Sequence, residues 1–192
     1  MSCRGAEIMA KRQSENVVDL LLRQHREIRK LFDRVEKATG KSRKDAFDKL
    51  RCLLAVHETA EEEIVHPLAR QTIGNGERII NARLKEEKQG KELLQGLEKL
   101  DPGSVEFDSL IGQLRKAVEA HAEHEEQVEF PELVARCAPE TLRAMATAVK
   151  AAQAVAPTHP HPGIESPVAH VAIGPVAAVI DRTRDVIQKV RS

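Results

Sequence analysis

His57-Glu58-Thr59-Ala60-Glu61-Glu62-Glu63-Ile64-Val65-His66-Pro67 returns sixty-four positions later, from 57 to 121, as His121-Ala122-Glu123-His124-Glu125-Glu126-Gln127-Val128-Glu129-Phe130-Pro131. Both copies share one frame: His, Glu four residues on, a second Glu beside it, an aliphatic residue two further along, and Pro three residues after that. On an α-helix, residues i and i+4 lie one above the other on the same face. Each copy therefore points an imidazole and a carboxylate to the same side. Two such pairs on two helices amount to half of a metal site.

Working outward, the flanking sequence repeats at helical spacing. Val18, Leu21, His25, Ile28, Phe32 and Val35 recur every three or four residues, which predicts a first helix from about Ser14. Thr39-Gly40-Lys41-Ser42 breaks it, with Gly40 as the expected C-cap and Ser42 as the next N-cap. A second helix over about 43–71 has the seam Phe47, Leu50, Leu54, His57, Glu61, Ile64 and Leu68. Pro67 should kink this helix or mark its last turns, because proline removes a donor and crowds the preceding turn. After the turn Ile73-Gly74-Asn75-Gly76, a third helix is expected over about 77–100, with Ile79, Ile80, Leu84, Leu94, Leu97 and Leu100 as its stripe. That stripe is interrupted by Glu86, Glu87 and Gly90. Ser104 is placed to cap a fourth helix running to about Arg136, with Phe107, Leu110, Leu114, Val118 (or Ala117), His121, Glu125 and Val128 on its seam.

Four long helices joined by short turns predict an all-α, up-down-up-down four-helix bundle with a C-terminal helical extension. The expected division is a flexible tail over 1–12, the bundle over 13–136 and the extension over 137–192. Within that extension a short helix is expected over about 140–155, then a Pro- and His-rich loop at 156–163 and a last amphipathic helix over about 175–190.

Composition narrows the function. Of 192 residues, 41% are hydrophobic and 31% charged, as in a folded globular chain. Thirty basic residues balance thirty acidic ones, so no net field draws the chain to nucleic acid or to an anionic membrane. Four Phe with no Trp or Tyr leave no aromatic platforms for single-stranded nucleic acid. Cys3, Cys52 and Cys137 are scattered and odd in number, which suits reduced thiols and a cytoplasmic setting. The opening MSCRGAEIMAKRQ has no apolar run of signal-peptide length, and no stretch is long and apolar enough to span a bilayer. The expected partner is a small molecule, and the expected state a monomer or homodimer.

The polar residues that sit on apolar seams are His25 on the first helix, His57 and Glu61 on the second, Glu86 or Glu87 on the third, and His121 and Glu125 on the fourth. All fall near mid-helix, so an antiparallel bundle brings them to one depth. Buried carboxylates without partners cost several kcal/mol each. A dinuclear metal centre removes that cost, and imidazole with carboxylate suits iron or manganese. With no Cys on the seams, a zinc–thiolate site does not fit. A single HxxxE on a charged helix is ordinarily an exposed ion pair. Two copies in register on apolar seams, each followed by Pro, favour ligation. Glu62, Glu63 and Glu126 fall off the seams and read as a solvated face. His66 and His124 read as surface or supporting residues, and His159, His161 and His170 as loop residues.

His25 followed by Leu31-Phe32, then HETAEEEIVHP and HAEHEEQVEFP, resembles the haemerythrin-like HHE cation-binding domain over about residues 15–136. The tail APTHPHPG…GPVAAVIDR resembles the C-terminal extension of bacterial, especially actinobacterial, members. The resemblance implies an oxo- or hydroxo-bridged pair of iron ions, with manganese second. It also implies O2 binding, peroxide or nitric oxide handling with catalase-like decomposition as the enzymatic form, or iron and oxygen sensing without catalysis. By motif it assigns His25, His57, Glu61, His121 and Glu125 as ligands, and Glu58, which matches a Glu that ligates in some members. The chain departs from the family on the third helix, where members carry HxxxH or a single His. No histidine lies between His66 and His121, and Lys91-Glu92-Leu93-Leu94 aligns Glu87 with the missing His. On helical geometry alone Glu86 serves as well as Glu87. A Glu there adds negative charge and favours ferric iron, which suits peroxide or nitric oxide chemistry better than oxygen carriage.

Overall fold

The computed structural model describes residues 15–154, and the expected N-terminal tail, Pro/His-rich loop and final helix lie outside them. Helix α1 spans Val17–Lys37, capped by Asn16, whose side chain accepts from the Asp19 N–H. Helix α2 spans Gly40–Ala60 and starts two residues before the expected Ser42 cap. Gly40 adopts φ +52, a left-handed value that glycine takes without strain, and so turns the chain where a C-cap was expected. The cap of α1 is Ala38, which bonds back to Arg34.

A five-residue π-helical turn, Glu61–Val65, follows α2 and leads into α3, His66–Thr72. Helix α4 spans Gly76–Leu97, and α5 spans Val105–His124. A second π-helical turn, Glu125–Glu129, leads into α6, Phe130–Arg136, and α7 spans Pro139–Gln153. Ser104 caps α5 as expected, accepting from the Phe107 N–H at 3.2 Å. Gly76 is required where α3 turns into α4, because a Cβ there would stand 2.4 Å from the Arg70 carbonyl oxygen.

The two π-turns occupy equivalent places in the repeat, immediately before His66-Pro67 and Phe130-Pro131. A proline ring collides with the carbonyl four residues back in a regular α-helix. Here the preceding turn is wider: the His66 N–H bonds to the Glu61 carbonyl and the Phe130 N–H to the Glu125 carbonyl, five residues back. Pro67 thus lies in the last turns of its helical arm, and the chain continues to Thr72. The extra residue also shifts the inward phase. Val128, expected on the seam, is 43% exposed, and Glu129 is fully buried instead.

Two apolar clusters show the chain direction. One holds Val17, Leu21, Ala60, Ile64, Leu68, Ile80, Phe130 and Leu133. The other holds Ile28, Phe32, Phe47, Leu54, Leu94, Leu97, Phe107 and Leu114. Helix α1 leaves the first cluster for the second, the α2 arm returns, α4 crosses again and the α5 arm comes back. This is an up-down-up-down bundle. Leu142, Met145 and Val149 of α7 pack into the first cluster only, so this helix covers one end. Burying each large side chain contributes roughly 1.5–3 kcal/mol, and the two clusters clamp whatever lies between them. Among the described residues there is no strand, and no helix is long and apolar enough to cross a membrane.

Candidate metal centre

Between the clusters lies a layer of buried polar side chains, one or more from each arm. His25, His57, Glu61 and Glu125 each bring one ligand atom within 4.8 Å of the others. Glu61, Glu87 and His121 form a second such group. Glu61 belongs to both, so its carboxylate stands between two adjacent sites. All six residues are buried, Glu61 and Glu125 completely. Of the two candidates on α4, Glu87 turns into the site and Glu86 stays outside it. Glu58 is buried beside the site, with Oε1 facing Gly90 of α4, and is in neither group.

The inner atoms face one another without satisfying one another. His25 Nε2 lies 3.3 Å from Glu125 Oε2, His57 Nε2 lies 3.3 Å from Glu61 Oε2, and His121 Nε2 lies 3.5 Å from Glu125 Oε1. His25 Nε2, His121 Nε2, one oxygen of Glu87 and both oxygens of Glu61 and of Glu125 have no aligned hydrogen-bond partner. Buried polar atoms are rarely left this way, since each costs about 1–3 kcal/mol. A divalent or trivalent cation in each group would satisfy them, and imidazole nitrogen with carboxylate oxygen is a donor set for iron, manganese or zinc.

The outer atoms, by contrast, are all engaged. His25 Nδ1 lies 2.8 Å from Glu126 Oε1, which also accepts from Arg29 at 3.0 Å. His57 Nδ1 lies 2.9 Å from Gln24 Oε1, and His121 Nδ1 lies 3.1 Å from Glu86 Oε2. Each acceptor fixes the proton on Nδ1 and leaves the Nε2 lone pair for the centre, the arrangement found behind metal-bound histidines.

The profile of the Hemerythrin HHE cation binding domain matches residues 16–155. The chain belongs to this family. An uncharacterized hemerythrin-like protein of Schizosaccharomyces pombe is 24% identical over 176 residues, which cover 90% of this chain and 87% of that protein. A DNA nickase of a Nostoc species is 26% identical over 143 residues, covering 74% of this chain and 40% of the nickase. The crystal structure of a Hemerythrin HHE cation binding domain-containing protein from Mycobacterium kansasii superposes with a TM-score of 0.63 at 19% identity, covering 88% of this chain and 98% of that one. At that identity the likeness speaks for the fold.

Behind the two groups, this HHE domain buries a second layer of charge. His66 lies between Glu87, at 2.5 Å from Nε2, and Glu129, at 3.2 Å from Nδ1. Burial alone would lower its pKa, but these two carboxylates hold it well above the ordinary 6.5. Burial likewise pushes Glu87 up, and the cationic His66 overrides it, bringing Glu87 down to about 2. The reading of Glu62, Glu63 and Glu126 as a solvated face is wrong. Glu63 is 3% exposed, Glu62 pairs with Lys91, and Glu126 supports His25. The wide π-turns rotate these residues inward. His124 is the surface member of the set, half exposed and 3.0 Å from Glu86.

The repeat organises this second layer. Glu126 meets His25 and Arg29 of α1, while Glu62, its counterpart, meets Glu87 and Lys91 of α4. In each case a ligand candidate and a base four residues later share one carboxylate. Phe130, the counterpart of His66, stacks on His25 with ring centroids 5.7 Å apart. The spacing His25/Arg29 and Glu87/Lys91 is the signal that marks these supports in sequence. Gln24 shows no such signal.

Electrostatics divides the histidines. Burial and the neighbouring His25 lower His57 to about 3, so it stays neutral. His121 is raised to about 9 because Glu125, Glu86 and Glu87 outweigh its burial. A metal taking His121 Nε2 therefore displaces a proton. Glu61 is held well above 4.5 by burial and by Glu125. Burial also raises Glu58 to about 7, against the pull of Lys91. Beside Glu58, His25, His57 and His121 border a narrow cleft with room for about one water-sized molecule.

Proposed function

We propose that the chain is a non-haem di-iron protein, in which His25, His57, Glu61 and Glu125 would hold one ion and Glu61, Glu87 and His121 the other. Bound iron would supply Lewis acidity and electron exchange toward O2, peroxide or nitric oxide. The observation that carries the reading is the contrast within each imidazole. Nδ1 is hydrogen-bonded outward in all three, while Nε2 faces unpaired carboxylate oxygens.

The chain's own residues would do the rest. Glu126, Gln24 and Glu86 hold the rings in orientation, and His66 holds Glu87. Ile28, Leu54 and Val118 line the cleft and restrict it to small molecules. Glu58 borders that cleft, and burial holds its carboxyl above the usual carboxylate range in the metal-free chain, so it is placed to give or take a proton there. Three carboxylates among six ligands favour the ferric state and hence peroxide decomposition over reversible O2 carriage.

DNA nicking belongs to a relative of which this chain matches 40% of the length. The chain's balanced charge supplies no net field toward a phosphate backbone. A sensor without turnover is the second reading, favoured by the attachment of α7 to the site through Gln153 and Gln24. Aerobically purified protein decides between them. Charge-transfer absorption of a bridged ferric pair with peroxide turnover well above that of free iron supports the first. The same absorption with no turnover, and a large rise in melting temperature on loading iron, supports the second.

A further inference from the structure

His57 is tied to a helix that contributes nothing to the metal groups. Its Nδ1 lies 2.9 Å from Gln24 Oε1. The Gln24 amide in turn faces that of Gln153, at the end of α7. Gln24 Nε2 donates to Gln153 Oε1 at 3.0 Å, and Gln153 Nε2 donates to Gln24 Oε1 at 3.1 Å. The two amides close a ring. Turning one alone sets NH2 against NH2 and carbonyl against carbonyl. Turning both restores the ring but presents an N–H to His57 Nδ1, which must then accept and move its proton to Nε2. That nitrogen is the one 3.3 Å from Glu61 and aimed at the metal groups, and a protonated nitrogen does not ligate. One orientation of the amide pair goes with metal and the other excludes it.

We propose that Gln153 is a positioning residue for the metal site, acting through Gln24 on the tautomer of His57, so that metal occupancy and the seating of α7 are coupled. The proposal rests on the metal reading of the site given above. Such coupling is reciprocal: the factor by which a seated α7 tightens metal is the factor by which metal tightens α7. Helix α7 buries Leu142, Met145 and Val149, and the chain runs on from it to residue 192. The amide pair is thus a link between the centre and the chain's C-terminal segment.

The test uses the full chain, anaerobic titration with ferrous iron, and hydrogen exchange of the α7 and α4 amides with and without iron. Gln153→Leu removes the amide. Gln153→Glu keeps the shape but sets a carboxylate oxygen against Gln24 Oε1, and so removes the donor that holds this oxygen toward His57. Both variants should bind iron more weakly, Gln153→Leu about tenfold, the low end for loss of an outer-layer partner. A loss in the isosteric Gln153→Glu is one that mere packing by Gln153 would not give. Iron should slow α7 exchange in the wild type. In both variants it should slow α4 alone. Equal iron affinity of Gln153→Leu and wild type, or α7 exchange that ignores iron in the wild type, overturns the coupling and leaves the metal reading standing. The wild-type exchange comparison decides even where Gln153→Leu fails to fold. A wild-type chain that takes up no iron overturns both.

Discussion

Replacing Glu58 by Gln should make the metal-free protein more stable at pH 8 and leave it almost unchanged at pH 5. Glu58 is 6% exposed, and burial lifts its pKa from the ordinary 4.5 to about 7 against the opposing charge of Lys91. An acid whose folded pKa exceeds its unfolded one destabilises the fold progressively as pH rises between the two. The unfolded chain releases its proton near 4.5, while the folded chain holds it to about 7. Each pH unit between those values is worth about 1.4 kcal/mol, so the ionised carboxylate costs the fold about 3 kcal/mol above pH 7. Gln keeps the shape and carries no charge. Urea unfolding of chelator-treated wild type and Glu58→Gln at pH 5 and pH 8 measures the difference directly. A gap that grows by about 3 kcal/mol toward pH 8 supports the reasoning. A variant that is equally or less stable at pH 8 refutes the claim that burial controls this carboxyl. The same variant separates two roles for Glu58: retained iron places it beside the centre, and a lost ion makes it a ligand.

The remaining predictions concern the second layer. Glu126→Gln removes the carboxylate that orients His25 and pairs with Arg29, and should weaken ferrous iron binding about 10–100-fold in anaerobic titration. Glu27→Gln, on the exposed face of α1, should leave it unchanged. His66→Leu removes the cation between Glu87 and Glu129 and should destabilise the metal-free protein by about 3–5 kcal/mol at pH 6. Because the folded pKa of His66 is raised, its stabilisation is complete below 6.5 and is lost as pH rises through the folded value. The gap between wild type and variant should therefore shrink at high pH, which denaturation from pH 6 to pH 10 tests.

Much of this arrangement was legible in the sequence, because periodicity reports which residues share a face. The α1 seam from Val18 to Val35 and the α2 seam from Phe47 to Leu68 are buried throughout. Those seams carried His25, His57 and Glu61 inward with them. The expectation lost phase where the helix changed pitch. Val128 falls outward and Glu129 inward because the second π-turn inserts a residue that a 3.6-residue period does not count. The same widening hid Glu63. Glu86 and Glu87 were inseparable by pattern, since the α4 stripe breaks there. Packing against His66 chooses Glu87. Gln24 and Gln153 were out of reach for another reason: 129 residues separate them, and no local rule pairs two amides at that range.

The central claim is that the buried His and Glu side chains of the two groups would hold two iron ions. Anaerobic ferrous iron titration followed by desalting and metal analysis tests it most directly, on the wild type and on the His57→Ala/His121→Ala double variant. The account predicts two ions per chain in the wild type and none retained by the double variant, whose circular dichroism still reports a folded bundle. Stoichiometric iron kept by that folded double variant would contradict it.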